Sequence, residues 1–248
     1  MKETNKLKKA NIENLISLWK TVSMPFDSYY KTSEFEYCEI NGSEWPNKLW
    51  LNQELTQETI NLVKIKLATL PTNMSLAIWG INNKNALKIL EQNGFKVKFE
   101  QVGMALKPAG LFATKKDLSI ELVTTNFNAK IWSDLFKKSF GYTISSETVI
   151  KTVDTIDYYI AYHNNKPIGT AIIHKTENVM GVHSVGIPPE MRRRGYAEQI
   201  MKLLINLSNE SGNKFITLQA SDMGKNLYLK LGFEEQFMMK NYVLQQPI

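Results

Sequence analysis

The sequence predicts an α/β (α+β) fold: a mixed, mostly antiparallel sheet flanked by helices, built as two related units in tandem. Three observations predict it. Strand-like runs alternate with helix-period segments along the whole chain instead of segregating. A strand–helix–strand trio occurs twice: SLAIWG, NKNALKILEQNG and FKVKFEQVGMAL return near the C-terminus as FITLQAS, GKNLYLKLG and FEEQFMMKNYVL. Aligning Gly94-Phe95 on Gly232-Phe233 lays ALKILEQNGF over GKNLYLKLGF and Leu106 over Leu244, the mark of an internal repeat. Finally, HSVGIPPEMRRRGYAEQIMKLLINLSNES begins as a strand, breaks at a Pro-Pro pair and enters a helix at Gly195.

In chain order, residues 5–23 form an amphipathic helix with Ile12, Leu15, Ile16, Trp19 and Val22 on one stripe. An aromatic-rich segment follows Pro25, and its end forms a hairpin with WPNKLWL around Asn41-Gly42. A helix from Thr56 carries Ile60, Val63, Leu67 and Leu70 and stops at Pro71. The first trio comes next, with its helix closed by Gly94, and the unit ends near Lys107-Pro108-Ala109-Gly110. The expected domains are therefore residues 1–110 and 111–248.

The second unit starts with the strand SIELV, a helix over residues 128–140 and a short helix over residues 146–153. Two strands flank the turn Asn164-Asn165-Lys166-Pro167, and VMGVHSVGI is a third. The helix after Gly195 shows Ala197, Ile200, Met201, Leu204 and Leu207 at three- and four-residue intervals, with Gly212 as its stop. The second trio completes the order β-α-α-β-β-β-α-β-α-β.

Composition narrows the function classes. A hydrophobic fraction of 43% supports a packed core, while no apolar run reaches the roughly 18 residues that would span a bilayer. The first residues lack the apolar core of a signal peptide, and the lone Cys38 excludes internal disulfides, so a reducing, cytoplasmic setting is expected. The net charge of +6 is shared evenly by the two halves without a dense basic tract, which argues against a nucleic-acid or membrane partner. His163, His174 and His183 lie on three expected strands, but no carboxylate or cysteine completes a metal spacing, so no metal is expected.

The chain has three arginines, Arg192, Arg193 and Arg194, all at the turn before the Gly195 helix. Guanidinium groups bind phosphate bidentately, and the first N–H groups of a helix have no internal partner. Gly195 adds room for an anion to approach the backbone, because it has no Cβ. Strand, Arg-Gly turn and helix N-terminus together read as an anion site.

The spacing Arg192-x-x-Gly195-x-Ala197 resembles the Q/R-x-x-G-x-G/A signature of the GNAT superfamily, the acyl-CoA-dependent N-acyltransferases. NLYLKLGF is similar to that family's Tyr-x-x-x-Gly-Phe ending, and the resemblance covers about residues 118–248. It implies a GNAT-like fold, acetyl-CoA (CoA) as cofactor, and an N-acetyltransferase acting on a primary amine of a small molecule or peptide. The first unit is then a degenerate GNAT-like half. It has no glycine or arginine between Trp50 and Ser75, and Leu90 stands where the second unit has Tyr228. One cofactor site per chain is expected, in a monomer or homodimer.

The resemblance also implies roles. The amides of Arg193, Arg194, Gly195, Tyr196 and Ala197 ring the pyrophosphate, and Arg192 anchors the motif. Backbone groups of Val185, Gly186 and Ile187 hold the pantetheine, with Gly186 favouring a bulge in the strand. His183 occupies a position where the family often places a general base, and an unperturbed imidazole near pKa 6.5 suits that task. Glu190 is the fallback. Tyr228 sits where the family places a tyrosine near the thioester sulfur. Ser221 replaces a usual Asn contact, for which Asn226 compensates only if the loop is shifted. Two rivals stay open: a catalytically silent acyl-CoA-binding or regulatory protein, and a nucleic-acid-binding module using the three arginines.

Overall fold

The computed structural model describes residues 2–70, 74–80 and 84–245. Helix α1 spans Lys2–Ser23, followed by strands β1 (Tyr29–Lys31), β2 (Phe35–Cys38) and β3 (Lys48–Leu51). Then come α2 (Gln57–Leu67), β4 (Ser75–Trp79), α3 (Lys84–Gln92) and β5 (Phe95–Leu106). The second unit comprises β6 (Leu118–Leu122), α4 (Asn126–Phe140), α5 (Ser146–Thr152), β7 (Asp157–His163), β8 (Lys166–Thr176) and β9 (Val179–Gly186). It ends with α6 (Tyr196–Glu210), β10 (Phe215–Ala220), α7 (Asp222–Lys230) and β11 (Glu234–Leu244). The expected order of the second unit is the observed one.

Local chemistry sets the boundaries. Thr56, Thr125 and Ser145 cap α2, α4 and α5, each side chain accepting the N–H three residues on. Gly141 ends α4 in the left-handed conformation that glycine adopts without strain. Between β7 and β8 the turn is shorter than expected: Asn164 and Asn165 alone turn the chain, both at positive φ. Lys166 and Pro167 belong to β8, where Pro167 sits at a register shift that tolerates its missing N–H. The stop expected at Pro71 lies outside the described residues.

The hairpin expected around Asn41-Gly42 is not a tight one. Cys38 pairs with Lys48, so residues 39–47 form a longer loop between β2 and β3. Ile40 and Trp45 are buried and pull that loop into the core, while Asn47 closes it by accepting from Ile40 N and donating to Ser43 O.

All eleven strands join one sheet in the order β1-β2-β3-β4-β11-β5-β10-β9-β8-β7-β6, and most neighbours are antiparallel. Its centre is a strand exchange. The last strand of the first unit, β5, pairs with β10, and the last strand of the second, β11, pairs with β4. The two exchanged strands pair with each other, Phe95 opposite Leu244 and Ala105 opposite Glu234. The start of each exchanged strand thus faces the end of the other. The sheet runs unbroken through the sequence boundary near residue 110, and one apolar cluster joins Trp19 and Trp50 to Trp132, Phe136 and Tyr158.

Helix α1 lies across β5, β8 and β9. Its buried face carries Leu15, Leu18, Trp19 and Val22, interrupted by the fully buried Asn11 and Asn14. Asn11 Nδ2 donates to Met104 O, and its Oδ1 accepts from Gln219 Nε2. Asn14 Nδ2 donates to His174 O and Thr176 Oγ1. Two paired amides therefore hold the first helix against the centre of the sheet, satisfying polar groups that burial would otherwise leave orphaned.

Candidate active site

Strands β9 and β10 run parallel but pair only at their beginnings, through Val179, Met180 and Gly181 on β9. Beyond Gly181 they part. The cause is an extra residue in β9: Thr170 of β8 pairs with Gly186, yet Ile172 pairs with His183. Ser184 takes the bulge conformation at φ 54°, and Thr170 Oγ1 donates to its carbonyl at 2.9 Å. The bulge expected in this strand is present, but Ser184, not Gly186, adopts the strained backbone. Gly186 answers a packing need, because a Cβ there would overlap Ser139 and the Phe140 ring at the end of α4.

From Gly186 the chain passes Ile187, Pro188 and a 3-10 turn at Pro189–Met191 before entering α6. Arg193 and Gly195 take positive φ, 62° and 78°. Gly195 is the N-cap and offers no side chain to the first N–H groups of α6, those of Tyr196, Ala197 and Glu198. A Cβ added to Gly195 would meet no protein atom within 4 Å. The helix start is thus open, positively polarised and unobstructed, and it fits the pyrophosphate of CoA. By contrast, Thr56 Oγ1 closes the start of α2 in the first unit.

The three arginines divide their work. Arg192 Nε donates to Ile187 O at 3.0 Å and its Nη2 to Ser139 O at 2.8 Å, which fastens the turn to the end of α4. Arg193 and Arg194 are exposed, with Arg194 reaching only the Glu190 carbonyl at 3.4 Å. The Tyr196 hydroxyl meets His163 Nδ1 at 3.2 Å, and His163 Nε2 meets Asp117 at 3.0 Å. That chain orients the first side chain of α6 toward the β6–β7 end. Ala197 packs against the apolar cluster under α6.

A cleft of about 560 Å³ occupies the place where β9 and β10 part. His183, Ser184, Val185, Leu218, Gln219, Ser221 and Tyr228 line one side. The other side comes from the first unit, through Trp19, Trp45, Lys48, Phe99, Glu100 and Gln101. Sequence reasoning missed this second wall. Its one signal was the pair Asn11 and Asn14, polar residues set into the apolar stripe of α1. A larger groove of about 890 Å³ along the outer side of α1 contains none of the expected site residues.

Tyr228 packs edge-on against Phe233, and burial pushes its phenol up to about 12. Its hydroxyl has no hydrogen-bond partner among the described residues, so its proton is available to the cleft. His183 departs from expectation. Burial, aided by nearby His174 and opposed by Gln219, pushes it down to about 3 in place of 6.5. Its ring is neutral at working pH and is a weak proton acceptor. Ser221 lines the cleft while its Oγ caps α7 through Gly224 N. Ile187 is buried beside the turn, whereas Asn226 and Glu190 are exposed and lie outside the cleft lining.

Residues 154–235 match the family model described as Acetyltransferase (GNAT) domain. No curated protein sequence matches the chain. Among solved structures, the fold is similar to a GCN5-related N-acetyltransferase from Kribbella flavida, with a TM-score of 0.68 at 12% identity over 94% of this chain and 96% of that one. A GCN5-related N-acetyltransferase from Sphaerobacter thermophilus gives 0.62 at 13% identity, covering 87% and 78%. A tandem GNAT protein from the clavulanic acid biosynthesis pathway gives 0.54 at 11% identity, covering 86% and 79%. At these identities the likeness is one of fold, and the matched domain supplies the sequence link. With its Arg-x-x-Gly-x-Ala turn inside that domain and its parted parallel strands, the chain carries a match to a GNAT acetyltransferase domain over residues 154–235 and shares the fold of these structures.

Proposed function

We propose that the protein is an N-acetyltransferase that moves an acetyl group from acetyl-CoA to a primary amine. One observation carries the reading: β9 and β10 part beyond Gly181, and Tyr228 lines the cleft between them with no hydrogen-bond partner for its hydroxyl among the described residues, while β9 leads through the turn into the uncapped start of α6. Acetyl-CoA, when bound, supplies the acetyl group as an activated thioester. The N–H groups at residues 193–197 would hold its pyrophosphate, and the backbone from Val185 to Ile187, which has no β10 partner, would hold the pantetheine amides.

Tyr228 keeps its proton and donates a hydrogen bond where the sulfur leaves. With a pKa near 12 it stabilises a thiolate without surrendering the proton to it. His183 positions the amine as a neutral hydrogen-bonding group, and the amine proton leaves to water at the open end of the cleft. The first unit contributes the acceptor wall and has no cofactor site of its own. The capped start of α2 and the fully buried Leu90 in place of Tyr228 support that division.

The test is a screen of amines with acetyl-CoA, read by release of free thiol, beside calorimetric titration of CoA into the whole chain. Turnover of an amine and one CoA per chain are expected. Tight CoA binding with no amine acetylated would favour the silent binder, and two CoA per chain would overturn the single site.

A further inference from the structure

Lys48 is a half-buried cation that the fold leaves incompletely paired. It lies on β3 with its Nζ directed across β4, donating to Ser75 Oγ at 2.7 Å and Asn241 Oδ1 at 2.8 Å. Both acceptors are neutral. An ammonium has three donors, so one remains, and among the described residues nothing accepts it. The Phe99 ring lies 4.9 Å from Nζ and shields it from water on another side.

The two carboxylates lining the cleft are already engaged. Glu100 pairs with Lys240 at 2.7 Å, and Glu44 accepts the Thr143 N–H at 2.7 Å. Lys98 lies on the same cleft, and among the described residues it forms no ion pair. Burial, reinforced by Lys98, lowers the Lys48 pKa to about 7. Such a charge weakens a fold unless it is compensated, and an apolar residue would pack there at less cost. Its position on the acceptor wall gives it a use.

Taking the acetyltransferase reading as its basis, we propose that the acceptor is an amine that also carries a carboxylate, and that Lys48 binds this carboxylate. The ligand oxygen would take the third donor of Nζ and neutralise a charge that the protein leaves uncompensated. Trp45, Phe99, Phe140 and Tyr142, which line the same cleft, suit an apolar or aromatic body between the two polar ends. The acceptor class is therefore that of an amino acid with an apolar side chain.

The experiment compares phenylalanine with phenylalaninamide, and 4-aminobutyrate with butylamine, as acceptors for the whole protein. Wild type, Lys48→Met and Asn241→Asp are assayed. Lys48→Met should lower kcat/KM for the carboxylates by about 10²-fold, mainly through KM, and for the neutral partners far less. Comparing variants cancels the difference in amine pKa within each pair. Asn241→Asp keeps Lys48 but gives it an internal carboxylate, so it too should weaken the acids selectively. CoA titration of each variant shows that the fold and cofactor site persist. Equal losses for acids and neutral amines in Lys48→Met and Asn241→Asp, with CoA binding intact, would overturn the carboxylate role alone. Absence of CoA binding in wild type would instead overturn the acetyltransferase reading beneath it.

Discussion

The amide oxygen of Asn14 lies 3.3 Å from His183 Nε2. Asn14 spends its NH₂ group on His174 O and Thr176 Oγ1, so its oxygen is the acceptor and Nε2 of His183 carries the hydrogen. Protonating the other nitrogen would bury a cation beside His174, which is why the imidazole is held near pKa 3. The unfolded chain takes up this proton at about pH 6.5, before the folded one does. Stability from the neutral ring is therefore full above that pH and is lost as pH falls toward 3, by about 1.4 kcal/mol per pH unit. In denaturant titrations between about pH 4 and 7, His183→Gln should flatten this acid limb. An unchanged limb would show that the imidazole is not held neutral.

Gly195 offers a test of the cofactor turn. A Cβ would meet no protein atom, so nothing in the fold forbids a side chain except the φ of 78°. Gly195→Val should cost about 1–2 kcal/mol of stability through that backbone conformation. Its CoA binding should vanish, because the side chain fills the space at the start of α6. Calorimetry showing normal CoA affinity in a folded Gly195→Val protein would sink the assignment of the phosphate turn.

The contrast between Gly195 and His183 marks what the sequence could disclose. Gly195, the arginines and the repeat are local patterns, and periodicity with turn chemistry carried nearly every element to within a few residues of its observed span. What stayed hidden depends on contacts between distant segments. The low pKa of His183 comes from burial under α1, the bulge residue from the register of β8 against β9, and the acceptor wall from the strand exchange. Lys48 reads as an ordinary strand lysine until Ser75, Asn241 and Phe99 are brought around it.

Tyr228→Phe separates hydrogen bonding from full proton transfer. A phenol held near 12 donates a hydrogen bond to a departing thiolate but does not hand over its proton readily. Loss of one such bond to a charged group is worth about 1.5–3 kcal/mol, or roughly 10–10²-fold in turnover. Acetyl-CoA affinity should stay the same, and kcat should fall by that factor uniformly from neutral to alkaline pH. Turnover equal to wild type, with a confirmed acceptor, would remove Tyr228 from the mechanism.

The exchanged strands make a mechanical prediction. A protease site inserted after Lys107 would cut the exposed connection between the units without cutting the sheet. β5 would remain paired with β10 and β11, and β11 with β4, so the two fragments should co-elute in high salt and unfold in one transition. Gly103→Val should defeat the whole assembly, since a side chain there overlaps the Phe237 ring between β5 and β11. Separation of the fragments on a sizing column, each still folded, would contradict the shared core.

The last expectation concerns Lys48 and stability at alkaline pH. Its folded-state pKa, near 7, lies below the unfolded value of 10.5, because burial and Lys98 disfavour the charged form. Below about pH 7 both states hold the proton, and the folded protein bears the full penalty of the buried charge. Between the two values the folded chain has released the proton while the unfolded chain retains it. Stability should therefore rise with pH across that window, by about 1.4 kcal/mol per unit from this group. Lys48→Met removes the titration and leaves Ser75 Oγ and Asn241 Oδ1 without their donor, a cost that does not vary with pH. The difference in unfolding free energy between variant and wild type should thus favour the variant most at neutral pH and shrink by about pH 10. A difference independent of pH would mean that Lys48 titrates as a solvated lysine, and its uncompensated burial would lose its force.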